Sequence, residues 1–436
     1  MTEPSPSTRA ASAVVEPLAP SRPSGPGGPS GARPSVPSAL RSLLAPEGPA
    51  PWWHALVLFL GVAALVWAAV WIGNTQLPHD ARYPARTGIA GGTFFEGWQR
   101  WDAYWYRAIV RDGYVYYPGD HVQSSVAFWP SYPVVVRALS WAFPSIFITG
   151  SIVTLASGAT LAVCFRRWAE RFLAPAAAVT ALLVLLVYPY GWYQYGAVYA
   201  DALFLAATVG AFLLLERDRV VWAGLLGAVA SAGRPSGMVV AVALLFRLVE
   251  RRNAARGERG LVAALDVRGL TRRDAPVLLA FAGVGAWAAY LWARFGDPLL
   301  FATVEGARGW DQAAGPATWF KLRLLEAVRD HPFSPGTLNL LLQAAMVVGA
   351  LALVPRVVGR FGWAYGLYVV GVAGIALVGT KDFMGSGRYV LAAFPALAVA
   401  GELLAGRPRL RRAVLPLSLC VLLGLAVLFG RGTYLS

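Results

Sequence analysis

Only 14% of the 436 residues are charged, so the charged side chains inside apolar stretches carry the most information. Asp102 stands among aromatics in Trp101-Asp-Ala-Tyr-Trp-Tyr-Arg107. A carboxylate in that setting can take a proton as a general base, its pKa raised by apolar surroundings or lowered by Arg107. It can equally be a solvated loop acid or the partner of an arginine. Asp112, directly before Gly113, reads as a helix-ending turn acid. Tyr199-Ala-Asp201 opens an apolar run. An acid there suits a helix N-terminus or a polar cavity. The preceding Tyr188-Pro-Tyr-Gly-Trp-Tyr-Gln-Tyr195 is an aromatic surface that could stack on sugar rings or form an interfacial belt. Arg234, in Gly233-Arg-Pro235, interrupts another apolar run, where a cation is costly unless a phosphate, Asp102 or Asp201 pairs with it. Arg388 and Lys381 flank Gly385-Ser-Gly387. Two cations near glycines can hold a phosphate, or they can simply snorkel to an interface.

The elements that must position these groups are membrane helices. Hydrophobic residues make up 57% of the chain, gathered in blocks of roughly 20, the length a helix needs to cross a hydrocarbon core. That excludes a soluble globular enzyme, and continuous rather than alternating runs exclude a β-barrel. Expected spans are 52–74, 146–165, 176–190, 198–215, 275–295, 335–354, 363–380, 388–405 and 412–430, with 220–249 broken at Gly233-Arg-Pro235 into two short helices. The expected fold is all-α and polytopic, with about eleven membrane helices. Residues 126–143 are apolar but contain Pro130, Pro133 and Arg137. If they lie along the surface and the N-terminus is cytoplasmic, 18 basic residues fall in inner connections, and the outer loops 75–145 and 296–334 are nearly balanced. A crossing there would invert everything after it, so the positive-inside rule favours the surface. Residues 98–111 can form a second interfacial helix, with Trp101, Tyr104, Trp105 and Ala108 on its apolar face and Arg100, Arg107 and Arg111 on a basic one.

Residues 1–50 hold eleven prolines, nine serines and five glycines. Such a stretch cannot bury enough apolar area to offset ordering entropy and should be a disordered cytoplasmic tail. It has no apolar core of a cleavable signal peptide. The remainder, 51–436, reads as one transmembrane domain whose first outer loop, 75–145, carries Asp102. The net charge of +15 is explained by basic inner loops rather than by nucleic-acid binding. Cys164 and Cys420 lie in apolar runs and read as packing residues. His54, His79, His121 and His331 are scattered. No phosphate-binding glycine loop occurs, so a nucleotide or nucleotide-sugar site is unsupported.

The motifs have a family likeness. Trp101-Asp102-Ala-Tyr-Trp-Tyr-Arg-Ala-Ile-Val-Arg-Asp-Gly113-Tyr114 resembles the WD…GY segment of PIG-V-type mannosyltransferases, the GPI mannosyltransferase 2 family of the GT-C class. Ala127-Phe-Trp-Pro-Ser-Tyr-Pro133 resembles the family's AFFPLYP stretch. Tyr199-Ala-Asp201, Gly233-Arg-Pro-Ser-Gly237, Phe295-Gly-Asp-Pro-Leu299 and Arg388-Tyr389 resemble its remaining pieces, in order over about 52–430. The resemblance implies an inverting transfer of mannose from a polyprenyl-phosphate carrier, on the non-cytoplasmic face of the plasma membrane, with no cofactor and no clear need for metal. Asp102 would be the base. Arg234 and Arg388 would hold the carrier phosphate, and Asp201 would orient acceptor or sugar. From their own placement in the sequence, Lys381 is expected beside that phosphate, and Tyr199, Trp101, Trp105 and Tyr132 are expected to contact substrate. Trp129, Ser131 and Asp201 depart from the family's phenylalanine, leucine and glutamate. They leave the acceptor open among a phosphatidylinositol mannoside, a lipoglycan, a wall polymer and a protein, and another lipid-linked sugar open as donor. A lipid-linked-sugar flippase is the rival reading, since broken helices with intramembrane charge also mark transporters; the missing inverted repeat weighs against it. A non-catalytic membrane subunit is a third.

Overall fold

The computed structural model describes residues 51–81, 92–119, 122–143, 145–307, 310, 312 and 315–435. The expected tail, 1–50, and His121 lie outside them. Twenty α-helices follow in order among the described residues. They are α1 Trp52–Thr75, α2 Gly92–Glu96, α3 Ala103–Asp112, α4 Ser131–Leu139, α5 Ile146–Ala169, α6 Pro175–Leu186, α7 Asp201–Glu216, α8 Val220–Ser231, α9 Gly237–Ala254 and α10 Leu261–Leu265. Then come α11 Ala282–Phe295, α12 Leu300–Glu305, α13 Pro316–Trp319, α14 Leu322–Asp330, α15 Pro335–Ala352, α16 Val354–Phe361, α17 Trp363–Gly379, α18 Ser386–Val390, α19 Phe394–Ala405 and α20 Pro408–Gly430.

The chain is an all-α polytopic membrane protein. Each expected span contains a helix. Five helical stretches are long and apolar enough to cross a bilayer on length and composition: α1, α5, Arg272–Phe295, α15 and α20. The 24 residues of α1 rise about 36 Å, more than the roughly 30 Å of a hydrocarbon core. Arg272–Phe295 starts as a 3₁₀ stretch through Pro276 and continues as α11. The remaining apolar helices are shorter.

α7 is the axis of the bundle. Fourteen of its sixteen residues are buried, which is the pattern of a helix packed on all sides rather than along one stripe. α5 and α8 flank it. The first and last spans, α1 and α20, lie backbone to backbone. A Cβ on Gly73 would stand 2.0 Å from the Val427 carbonyl oxygen, and one on Gly430 would stand 2.3 Å from that of Val70. Only glycine permits that approach at either position.

The segment 126–143 does not cross. Its helix, α4, has nine residues and rises about 13 Å, too short to span. It packs on α3 and α5, and the Ser131 amide donates to the Ala232 carbonyl (2.9 Å) at the tip of the α8–α9 hairpin. The expected helix over 98–111 begins later, at Ala103, because Trp101 sits at φ +52°, left-handed backbone that interrupts a helix. Asp112 is the last residue of α3, paired with Arg111, and Gly113 closes the helix at φ +85°.

One reading of the loop is overturned. Arg100, expected on an exposed basic face, is fully buried. Its Nε and Nη2 donate to the Gly430 carbonyl (3.1 and 2.7 Å), Nη2 also reaches Asn74 Oδ1 (2.5 Å), and Nη1 donates to the Glu96 carbonyl (3.0 Å). A guanidinium with that many acceptors can be buried at modest cost.

Candidate active site

The turn Arg100–Asp102 is held from two sides. Arg100 anchors it to the end of α20, and one hydroxyl staples it to the centre of the bundle. Tyr199 Oη accepts from the Asp102 amide and donates to the Arg100 carbonyl, both at 3.2 Å. The Asp102 carboxylate is thereby presented to a cavity of about 210 Å³. Asp201, Arg234, Glu305, Arg388, Tyr389 and Tyr434 also line it.

Two acid–arginine pairs open on this cavity. Asp102 Oδ2 meets Arg388 Nη1 at 3.3 Å. Asp201, the first residue of α7, pairs with Arg234 at the tip of the broken hairpin. Proline at 235 ends the helical run, and the reversal between α8 and α9 delivers Arg234 to α7. Tyr389 lies between the two cations, its ring 4.8 Å from the Arg234 guanidinium and 5.4 Å from that of Arg388. Tyr193 and Tyr199 also face Arg388, each at 5.4 Å. Aromatic faces stabilise a guanidinium without consuming its N–H donors. The buried Nε of Arg388 has no hydrogen-bond partner among the described residues.

Burial pushes the Asp102 carboxyl up, and the Arg388 pair only partly offsets it. Arg107, the cation expected to lower it, lies instead over the Phe147 ring at 5.3 Å. Glu305, at the end of α12, is pushed up to about 7 by burial, against a pull from Arg234. Its carboxylate has no hydrogen-bond or ion-pair partner among the described residues. No motif points to it: it ends a short helix in the loop 296–334, and only the folded chain brings it to the cavity. Tyr434 likewise stands in no motif, and Tyr389 enters the sequence pattern only as the residue after Arg388.

The remaining expected contacts stand elsewhere. Lys381 lines an adjoining cavity of about 220 Å³, which shares Trp310, Gln312, Thr380, Arg388, Tyr389 and Tyr434 with the first. Tyr199 stands behind Asp102, accepting from its amide, and Trp101 meets the Tyr434 ring edge-on. Trp105 stacks on Phe128, ring centroids 5.7 Å apart. Tyr132 is fully buried, and its hydroxyl donates to the Gly150 carbonyl (2.8 Å) beside Thr154. Among the described residues, no three His, Cys, Asp or Glu side chains gather as a metal-binding group.

Chemically, the cavity offers a carboxylate of raised pKa, two guanidinia to meet an oxyanion, and aromatic walls. Its lining also runs along α17 at Val372, Ile375 and Gly379, spaced for one helical face.

No family profile matches the chain, and no curated protein matches it. Among solved structures it is similar to ArnT from Cupriavidus metallidurans bound to undecaprenyl phosphate, at 14% identity over 88% of this chain and 77% of that one, TM-score 0.46. It is also similar to the Archaeoglobus fulgidus oligosaccharyltransferase in the apo form, at 15% identity over 87% and 56%, TM-score 0.43. The same archaeal enzyme, AglB, in complex with an inhibitory peptide and a dolichol-phosphate gives 14% identity over 86% and 55%, TM-score 0.41. The chain thus spans about half the length of the oligosaccharyltransferase.

Proposed function

We propose that the chain is an integral membrane glycosyltransferase of the GT-C type. It moves a sugar, mannose by the motif resemblance, from a polyprenyl-phosphate carrier to a hydroxyl of a lipid or glycan acceptor. The observation that carries this reading is that both acid–arginine pairs open on one cavity, with the Arg388 Nε unpaired.

The reaction is a single displacement. The acceptor oxygen bonds to the anomeric carbon as the bond from that carbon to the phosphate oxygen breaks. The acceptor proton passes to the Asp102 carboxylate, and the configuration inverts. The departing electron pair stays on polyprenyl phosphate, whose oxyanions Arg388 and Arg234 meet. A phosphate arriving at Arg388 competes with Asp102 for that guanidinium. The carboxylate so released is a better proton acceptor. The apolar face of α17 gives the carrier chain a path into the bilayer. The topology that suits this chemistry puts the N-terminus in the cytoplasm and the cavity outside, in the plasma membrane.

The test is incorporation of labelled mannose from polyprenyl-phosphate-mannose into membrane lipids by the purified, reconstituted chain. Product is expected with the wild type and not with Asp102→Asn, and its mass identifies the acceptor. Movement of the labelled carrier across the bilayer without product would replace the enzyme by a flippase.

A further inference from the structure

The segment that follows the last span returns to the site. Gly432, at φ +92°, turns the chain back, and the Arg431 carbonyl accepts from the Asp80 amide (3.0 Å). The Tyr434 ring then meets Trp101 edge-on, centroids 4.8 Å apart, and lines both adjoining cavities. Leu435 is buried, and its carbonyl accepts two side-chain amides of α15, Asn339 Nδ2 and Gln343 Nε2, each at 3.0 Å.

Those two amides sit four residues apart on one face of α15 and reach onward. Asn339 Oδ1 accepts from Tyr190 Oη (2.7 Å). Gln343, fully buried, accepts on Oε1 from the Gly387 amide (3.0 Å), directly before Arg388. Tyr188 Oη donates to the Gly387 carbonyl (2.8 Å) from the other side. One short segment is therefore bonded through Gln343 to the residue before Arg388, and packed edge-on through Tyr434 against the residue before Asp102.

We propose that Arg431–Leu435 is a wall of the active site, and that Gln343 is the positioning residue that holds this wall, the Asp102 turn and the Arg388 turn in one register. The inference rests on the roles given to Asp102 and Arg388 above. Removing the Gln343 amide leaves the Gly387 N–H buried without an acceptor, and the turn carrying Arg388 shifts to find one. A displacement on the order of 1 Å in a reacting pair costs about 100-fold in rate.

The test compares wild type, Gln343→Leu and Gln343→Glu as full chains in detergent. Glutamate keeps the acceptor for Gly387 N–H and loses the donor to Leu435. Two readouts are taken: transfer kinetics with polyprenyl-phosphate-mannose, and amide hydrogen exchange over 98–104, 384–390 and 431–435. For Gln343→Leu we expect kcat to fall by about 100-fold with donor KM within about twofold. Exchange should rise in all three segments, including 98–104, in which no residue bonds to Gln343. Gln343→Glu should loosen 431–435 and 98–104 and leave 384–390 protected. Tyr434→Ala should repeat the kcat loss without touching Gln343, and it carries the test if Gln343→Leu fails to fold. Faster exchange confined to 384–390 overturns the proposal, as does an unchanged kcat while all three segments loosen. If the wild type transfers no sugar, the functional reading fails, and the exchange pattern still decides whether the clamp exists.

Discussion

α7 carries a carboxylate at each end, about 22 Å apart, and the two live differently. Glu216 accepts from Arg247 (2.6 Å) and from the Tyr365 hydroxyl (2.9 Å), with Arg251 at 3.7 Å. Arg247 continues to Glu250 (2.8 Å), and Arg252 joins Asp218 (3.0 Å) to Asp274 (2.7 Å). None of these residues lines the two adjoining cavities. At the other end Asp201 has one arginine, its neighbour Asp102 has one, and both face the cavity. Where acids and cations bond on into a continuous chain, the charge holds helices together. Where each acid has a single cation and faces a cavity, the same chemistry is available to a ligand.

The largest effect should separate the two ends outright. Asp102→Asn should lower sugar transfer by about 1,000-fold while the protein stays folded and binds carrier lipid. Glu216→Gln should do the reverse: about 3 kcal/mol of stability lost from an opened buried network, with activity per folded molecule kept. Near wild-type transfer by Asp102→Asn would remove the base assignment. Next comes Arg388→Lys, which keeps the charge but loses the planar fork and its Nε. Single-turnover transfer should fall about 100-fold, whereas Arg247→Lys should leave the rate per folded molecule unmoved.

The third test concerns Glu305, whose carboxylate has no hydrogen-bond or ion-pair partner among the described residues. It titrates near 7 beside Arg234, so raising the pH from 6 to 8 places a negative charge near the donor phosphate. Donor KM should rise by roughly fivefold over that interval, and Glu305→Gln should flatten the rise. An unchanged pH profile in that variant would take Glu305 out of the donor's field. The smallest effect is expected for Lys381→Ala, at less than about threefold in donor KM, because Lys381 lines the adjoining cavity and not the one holding both ion pairs. A loss matching that of Arg388→Lys would move the phosphate toward the second cavity.

The helical membrane architecture was legible because a hydrocarbon core imposes a length and a composition that short motifs cannot hide; against about eleven membrane helices expected, five stretches among the described residues are long and apolar enough to cross. The break at Gly233-Arg-Pro235 was legible for a different reason: glycine and proline around a cation inside an apolar run disfavour an unbroken helix. Asp201 as a partner of Arg234 was one of three open possibilities, and folding selected it. Arg100 was misread because helical spacing says which face a residue occupies only if the helix exists there, and a left-handed Trp101 ends that assumption. Its acceptor on Gly430 lies 330 residues away, beyond any local pattern. Glu305 and Tyr434 escaped for a related reason. Glu305 only ends a six-residue helix and Tyr434 lies in no helix, and each matters only through what the tertiary fold places beside it.

The Arg100–Gly430 contact also bears on how the molecule is made. In the loop carrying Asp102, Arg100 is synthesised 330 residues before Gly430, and its guanidinium cannot find the Gly430 carbonyl until α20 has been made. At 5–20 residues per second, that interval is about 15–65 s. Through it Arg100 must remain hydrated or borrow other acceptors, and the Asp102 turn lacks its anchor. Completion of the turn therefore waits on α20: its insertion is the step that gives the Asp102 turn its anchor on Gly430.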